Sequence, residues 1–293
     1  MRLVTLKTEG KEVGGIAIEK GIVKLETVNK EFDANWATDI FNLINEGQLE
    51  ELNKWYKNGG CKVLNELTEN VISFAEAKYG PLYRDPKKIF GIGLNYKDHA
   101  ADLAEKAPVT EPASFFKPAT TIIGPDDEIK IPLQSEKTTG EAELGIIFRK
   151  ECENVEREDW LDYVAGYTTI IDMTAEDILR KNPRYLTRVK SFETFFSFGP
   201  QLVTTDEVDD VLKLKVATVI NGNVHAENTV SNMVFPPDYL VSFHSKVMKF
   251  LPGDILSTGT PRAVQINEGD VIECHIDGFE PLVNPVIDKK LHK

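Results

Sequence analysis

A strand-like segment that carries two glutamates constrains the fold of this chain more than any other feature. Residues 141–148 read Glu-Ala-Glu-Leu-Gly-Ile-Ile-Phe, and a period of two residues places Glu141 and Glu143 on one face of a β-strand. The opposite face is apolar throughout and carries Ala142, Leu144, Ile146 and Phe148. Since that face must be buried, the two carboxylates stand side by side on a strand that belongs to the core.

A second segment adds a third acid. Residues 167–172 are rich in β-branched side chains and end in Asp172, which predicts another strand. Buried, unpaired carboxylates destabilise a fold strongly, and one divalent cation shared by the three acids removes that penalty. Ligands that are all oxygen favour Mg²⁺ or Mn²⁺ over zinc. The alternative is that Glu141 and Glu143 are exposed residues of a surface strand that binds no ion.

Charge and cysteine usage exclude several classes of protein. The 293 residues include 34 Lys and Arg against 47 Asp and Glu, a net charge of −13 without a basic stripe, so we expect no nucleic-acid or membrane partner. We find no apolar run near the ~20 residues of a membrane span and no signal-peptide core. The three cysteines are odd in number and widely spaced, which favours reduced thiols and a cytoplasmic location.

The N-terminal part has its own pattern. Residues 1–30 alternate short β-like runs with turns, which predicts a small antiparallel meander. Residues 33–57 and 62–78 have the apolar spacing of amphipathic helices. A proline-containing stretch between 81 and 88 is the predicted boundary. We therefore expect a small N-terminal α/β domain at 1–82.

The remainder of the chain is dominated by short strands and turns. Residues 215–228 predict a hairpin with Asn-Gly at its corner, residues 237–250 predict a helix, and the end after residue 285 reads as a polar tail. The pattern favours a β-rich α+β fold, a mixed β-sandwich roll with a small N-terminal α/β cap, over a doubly wound α/β sheet. We place the main domain at 88–288.

Two further sites carry candidate catalytic groups. His99 and Asp102 are three residues apart, so on a helical turn they face the same way and could form an acid–base pair; the alternative is a purely structural histidine. Lys190 lies near four phenylalanines between residues 192 and 198. Its ammonium group is either a surface charge or a partly desolvated cation.

Seven motifs in order resemble the fumarylacetoacetate hydrolase family. They cover about residues 88–286 and read GLNYKDHAAD, FFKP…GPDDEIKIP, GEAELGIIF, AGYTTIIDMTAED, KSFETFFSFGP, NG…N and GDILSTGTP. Each motif is weak alone, but the series is specific. The resemblance implies a β-sandwich roll, a homodimer, and a bound Mg²⁺, Mn²⁺ or Ca²⁺ ion.

The resemblance also implies a role for individual residues. The metal ligands are expected to be Glu141, Glu143 and Asp172. The catalytic groups are expected to be His99, Asp102 and Lys190. Contacts to the substrate are expected from Thr260, Lys117 and Tyr96.

Several positions depart from the family pattern. The acid at 102 is usually Glu and here is the shorter Asp, and the usual Asp-Tyr before Glu141 is here Thr-Gly. An Arg that can contact a substrate carboxylate is replaced by Glu176, a Gln by Leu179, and a Gly by Ala263. The metal site therefore matches the family better than the substrate-facing wall does.

Three functions are compatible with these residues. The first is metal-dependent hydrolysis of a C–C bond in a β-dicarbonyl acid of the acylpyruvate or fumarylacetoacetate type, with His99 as general base on water and Lys190 stabilising negative charge. The second is decarboxylation of oxaloacetate, or isomerisation or tautomerisation of a dienoic acid, at the same metal site. The third is a catalytically inactive β-roll that binds a small acid. In each case the expected partner is a small 2-oxo acid.

Overall fold

The computed structural model describes residues 1–96 and 110–292. Over these residues the strands form two mixed or antiparallel sheets, one of thirteen strands and one of five, and the helices are short. This confirms the expected β-rich α+β class.

The elements are defined as follows. The larger sheet contains β1 (Arg2–Thr8), β2 (Lys11–Ile18), β3 (Gly21–Lys24), β4 (Val71–Ile72), β5 (Ile89–Gly93), β6 (Ala113–Lys117), β7 (Ile122–Ile123), β9 (Thr138–Phe148), β10 (Val164–Ala175), β11 (Phe196–Phe198), β12 (Gln201–Thr204), β15 (Ile255–Ser257) and β16 (Val264–Gln265). The smaller sheet contains β8 (Ile129–Ile131), β13 (Lys215–Ile220), β14 (Asn223–Thr229), β17 (Val271–Ile276) and β18 (Leu282–Asp288). The α-helices are α1 (Leu25–Phe32), α2 (Ile40–Asn45), α3 (Leu49–Trp55), α4 (Cys61–Glu66), α5 (Glu176–Leu179), α6 (Leu186–Lys190) and α7 (Pro237–Ser245).

The centre of the larger sheet is the antiparallel pair β9 and β10, which are buried along their whole length. Side chains on one face of β9, such as Leu144, share a core cluster with β13 and β17 of the smaller sheet. On the other face, Ile147 and Ile170 join a second core cluster with N-terminal residues such as Leu3. Both faces of the central pair are therefore covered, which is why its sequence is nearly continuous in apolar and small residues.

The N-terminal region is continuous with the larger sheet. Strands β1 to β4 form an antiparallel meander, as expected, and β1 then pairs with β12 so that Leu3 lies opposite Leu202. The sheet order is β4-β3-β2-β1-β12-β10-β9-β15-β5-β6. The short helices α1 to α4 cover one side of this extension, with Leu25, Leu43 and Leu52 fully buried.

Two expectations from the sequence are wrong. The helix predicted at 62–78 ends at Glu66, because Asn70 has a left-handed φ of 60° and the next two residues form β4, which pairs with β3. The end after residue 285 is no tail: β18 runs to Asp288 and pairs in parallel with β8. The predicted hairpin at 215–228 is confirmed, and the helix expected at 237–250 is confirmed only up to Ser245. Among the described helices, none has both the length and the apolarity to cross a membrane.

Candidate active site

Three carboxylates meet where β9 and β10 run side by side. Asp172 lies directly opposite Glu141 in the antiparallel ladder, and Glu143 is two residues further along the same face of β9. One carboxylate oxygen from each of these residues lies within 4.8 Å of the others. All three side chains are buried, with 0% to 6% of each residue exposed. The alternative of an exposed glutamate pair on a surface strand is therefore wrong.

Neighbouring hydroxyl and amide groups fix the two glutamates. Glu141 Oε1 accepts hydrogen bonds from the hydroxyls of Thr174 at 2.6 Å and Thr139 at 3.3 Å. Glu143 Oε2 accepts bonds from the Ser257 hydroxyl and from the backbone N–H of Gly259 at 2.9 Å. These donors hold the two carboxylates in one orientation.

Two lysines provide part of the countercharge. Lys190 Nζ lies 3.0 Å from Glu141 Oε2 and 2.6 Å from Asp172 Oδ2, and 4.6 Å from the centre of the Phe115 ring. Lys117 Nζ pairs with Asp172 Oδ1 and donates to the carbonyl of Met173 at 3.2 Å. Lys190 is only 5% exposed, so it is the desolvated cation of the two alternatives left open by the sequence.

Burial and neighbouring charges shift the pKa values of Glu143, Lys117 and Lys190 in different directions. Burial raises the pKa of Glu143 to about 8, and the charges of Asp172 and Glu141 add to the effect. Burial lowers the pKa of Lys117 to about 8, although Asp172 opposes this. For Lys190, burial is outweighed by the attraction of Asp172 and Glu141, so its pKa is raised. When all three acids are ionised, the two lysines leave one negative charge that a bound cation can neutralise.

The donor set fits a hard divalent ion. Glu141, Glu143 and Asp172 offer only carboxylate oxygens, which Mg²⁺ and Mn²⁺ prefer. The raised pKa of Glu143 has burial and like charge as its causes, and a bound cation would relieve the latter. These three residues are therefore the ones that could hold the ion.

Two of the three carboxylates lie on the wall of a cavity of about 400 Å³. Glu141, Glu143 and Lys190 line it, and Thr260, which is 2% exposed, lies on its wall. The Thr260 hydroxyl donates to the carbonyl of Arg262 at 3.1 Å. A small ligand in this cavity would contact acids, a lysine and a hydroxyl at once.

The other predicted residues occupy different places. Lys117 and Tyr96 are buried, at 4% and 0% exposure, and neither is among the described residues that line the cavity. Lys117 reaches the site through its pair with Asp172, while the Tyr96 hydroxyl has no hydrogen-bond partner among the described residues. His99 and Asp102 lie outside the described residues, so their pairing stays a prediction.

The cavity wall contains an ion-pair network that the sequence analysis missed. Glu176 at the start of α5 is 4% exposed. Its Oε1 accepts from Arg180 Nε at 2.6 Å and lies 2.5 Å from Arg180 Nη2, and its Oε2 lies 2.8 Å from Lys137 Nζ. Both Glu176 and Arg180 line the cavity. The available signal was the i, i+4 spacing of the two residues on one helical face.

Sequence comparison finds a family match over most of the chain. Residues 88–287 match the fumarylacetoacetate (FAA) hydrolase C-terminal family. The mitochondrial oxaloacetate tautomerase FAHD2B of Homo sapiens is 35% identical over 227 residues, which are 74% of this chain and 72% of that protein.

Two solved structures are similar over most of the chain. The maleylpyruvate hydrolase of Sphingobium sp. SYK-6, solved with manganese(II) and pyruvate, is 26% identical with a TM-score of 0.80, covering 98% of this chain and 99% of that one. The 2-hydroxyhepta-2,4-diene-1,7-dioate isomerase of Mycobacterium marinum is 30% identical with a TM-score of 0.67, covering 76% of this chain and 82% of that one. The chain therefore belongs to the fumarylacetoacetate hydrolase family.

Proposed function

We propose that this protein is a divalent-metal-dependent enzyme that acts on a small 2-oxo acid. The observation that carries the proposal is the meeting of three buried carboxylates with Lys190 beside a cavity that Glu141, Glu143 and Lys190 line. Glu141, Glu143 and Asp172 are the residues that would hold the ion. The chemistry that such an ion supplies when bound is polarisation of a carbonyl oxygen.

The residues of the chain itself would bind the substrate and stabilise charge. Lys190 carries a positive charge in a desolvated position, where an ammonium group stabilises a developing negative charge much more strongly than in water. The Thr260 oxygen, whose proton is directed to the Arg262 carbonyl, can accept a hydrogen bond from the substrate. We assign proton transfer at carbon to His99, with Asp102 as the acid expected to orient it.

The reaction that we favour is keto–enol tautomerisation of a 2-oxo acid such as oxaloacetate. It needs a proton to leave the carbon next to the carbonyl and a proton to reach the oxygen, and no bond between carbon atoms breaks. Support comes from the 35% identity to a protein named oxaloacetate tautomerase. This identity of 35% exceeds the identities of 26% to the hydrolase and 30% to the isomerase.

Hydrolysis of a C–C bond is the second candidate. The similarity to the maleylpyruvate hydrolase extends over 98% of this chain and so includes the N-terminal region, whereas the similarity to the human tautomerase covers 74%. In this reaction water adds to the distal carbonyl of an acylpyruvate, and the bond to the pyruvate methylene breaks to give a carboxylic acid and pyruvate.

Product analysis separates the candidate reactions. The protein is stripped with a chelator and then assayed with and without Mg²⁺ or Mn²⁺, by NMR, on oxaloacetate and on acetylpyruvate. A tautomerase accelerates keto–enol exchange of oxaloacetate without consuming it. A decarboxylase converts oxaloacetate to pyruvate and CO₂. A hydrolase converts acetylpyruvate to acetate and pyruvate. We expect metal-dependent exchange. Metal binding without any of these reactions would favour the inactive acid-binding protein instead.

A lysine variant tests the site directly. We expect Lys190→Met to lower kcat by about 10²–10³-fold, the usual effect of removing one group that stabilises developing charge. The matched control is Lys249→Met, because Lys249 is a surface lysine that pairs only with Glu151 and Glu153 among the described residues. Circular dichroism and Mg²⁺ titration establish that the variant is folded and still binds the ion. Unchanged turnover in Lys190→Met would remove this lysine from the reaction.

A further inference from the structure

The Glu176–Arg180 ion pair places an arginine at the wall of the cavity. Arg180 follows the last residue of α5, and its Nε and Nη2 both bind one oxygen of Glu176. Its side chain is nevertheless 59% exposed, and the residue lines the cavity. One edge of the guanidinium group is thus fixed by a buried partner, while most of the side chain stays exposed at the cavity.

The charge of this network is positive. Glu176 carries one negative charge, whereas Arg180 and Lys137 carry one positive charge each, and both carboxylate oxygens are already engaged. The Arg180 Nη1 group makes no hydrogen bond to any other residue in the described part of the chain. A positively charged fork with unused donors suits the planar, bidentate binding of a carboxylate.

Apolar side chains line the cavity together with the charged ones. Among them are Leu179, Pro183 and Leu186, which are close to Arg180 in the chain. A ligand that fits such a space has two polar ends and a short carbon chain between them. Simple stabilisation of a four-residue helix does not require the arginine to line a cavity.

We infer that Arg180 binds a second carboxylate of the substrate, so that the enzyme selects short 2-oxo dicarboxylates over 2-oxo monocarboxylates. The inference rests on the proposed function, in which the 2-oxo acid end lies at the carboxylate trio. Arg180 makes the contact. Glu176 and Lys137 are positioning residues that hold the guanidinium group against the wall.

A pair of ligands of equal length tests this selection by binding rather than turnover. 2-Oxoglutarate and 2-oxopentanoate have the same carbon chain, but the first ends in a carboxylate and the second in a methyl group; oxalate has no distal part at all. Affinities are measured by calorimetry with saturating Mg²⁺. We expect Arg180→Gln to weaken 2-oxoglutarate by roughly 10- to 100-fold, the range for a hydrogen bond to a charged group, and to leave the affinities of the other two ligands unchanged.

Control variants separate recognition from folding. Arg184→Gln removes an exposed arginine four residues away that is not among the described residues lining the cavity, and should change none of the three affinities. Arg180→Lys keeps the charge but loses the fork, and should give an intermediate loss for 2-oxoglutarate. Glu176→Gln should weaken 2-oxoglutarate without affecting 2-oxopentanoate. Circular dichroism of each variant confirms folding.

The outcomes distinguish this inference from the proposed function. Equal losses for 2-oxoglutarate and 2-oxopentanoate in Arg180→Gln, or no loss for 2-oxoglutarate, would overturn the role of Arg180 while leaving the metal-dependent site intact. Failure of oxalate and both oxo acids to bind the wild-type protein with Mg²⁺ would overturn both.

Discussion

Buried titratable side chains at single positions decide how this protein responds to pH. His244 on α7, which lies outside the group of Glu141, Glu143 and Asp172, is an example. Its ring packs against Phe90 at 4.8 Å and Phe243 at 5.0 Å between ring centres. Nδ1 lies 2.9 Å from the Leu240 carbonyl, which can only accept, so Nδ1 carries the proton. Burial lowers the pKa of His244, because a charged imidazole would be desolvated there.

The sign of the pH effect follows from that lowered pKa. The unfolded chain binds a proton at about the ordinary histidine pKa of 6.5, while the folded protein resists it. Stability from this residue is present above that pH and is lost as the pH falls below it. We expect the Tm of the wild-type protein to fall more steeply between pH 7 and pH 5 than that of His244→Gln. The exposed His225 supplies the control, His225→Gln; parallel curves for wild type and His244→Gln would contradict the prediction.

At the scale of single residues, only part of the site could be predicted from the sequence. The period-two pattern around Glu141 and Glu143 placed both on one face because strand geometry is local. Their pairing with Lys190 was not predictable from spacing, since the strand β10 and the short helix α5 separate these residues from α6 in the chain. Arg180 was missed because its importance depends on which wall of a cavity α5 forms.

At the scale of elements, the close approach of β10 and β12 depends on a glycine. Gly166 lies at an irregularity in the β9–β10 ladder and pairs with Thr204. A Cβ atom built on Gly166 would lie 2.2 Å from the backbone oxygen of Val203, so the strands would have to separate.

We therefore expect Gly166→Ala to reduce the free energy of unfolding by about 1–3 kcal/mol or more, measured by urea unfolding monitored by circular dichroism. Gly93→Ala is the matched control, because a Cβ there meets no atom within 4 Å among the described residues. Equal midpoints for Gly166→Ala and wild type would show that the strands adjust at little cost.

Element prediction succeeded where pattern and local turn agreed. The β13–β14 hairpin and the β9 strand have strong local signals, and the structure has both. The predicted helix at 62–78 failed because its apolar spacing continues past Glu66, while pairing with β3 draws Val71 and Ile72 into the sheet. The partners of β18 were equally hidden, since β8 lies far away in the chain.

At the scale of the whole molecule, the N-terminal region and the rest share one sheet and one core cluster. Strand β1 pairs with β12, and Leu3, Ile147 and Phe196 belong to the same buried cluster. Two regions joined through a core are expected to unfold together, although the sequence suggested two domains.

The three tryptophans allow a test of this cooperativity. Trp36 and Trp55 lie in the N-terminal region and Trp160 in the other. In Trp160→Phe, tryptophan fluorescence reports on the N-terminal region alone, whereas far-ultraviolet circular dichroism reports on the entire chain. We expect the two probes to give coincident urea transitions. An earlier fluorescence transition would mean that the N-terminal region unfolds independently.

The register of the β9–β10 ladder has a consequence for how such proteins diversify. Asp172 lies opposite Glu141, so inserting or deleting one residue in either strand would turn the following side chains to the other face and scatter the acids. The stretch from 176 to 186 lies outside the ladder and is free of this restriction. Insertions and deletions there can therefore reshape the wall around Arg180 while the three carboxylates keep their positions.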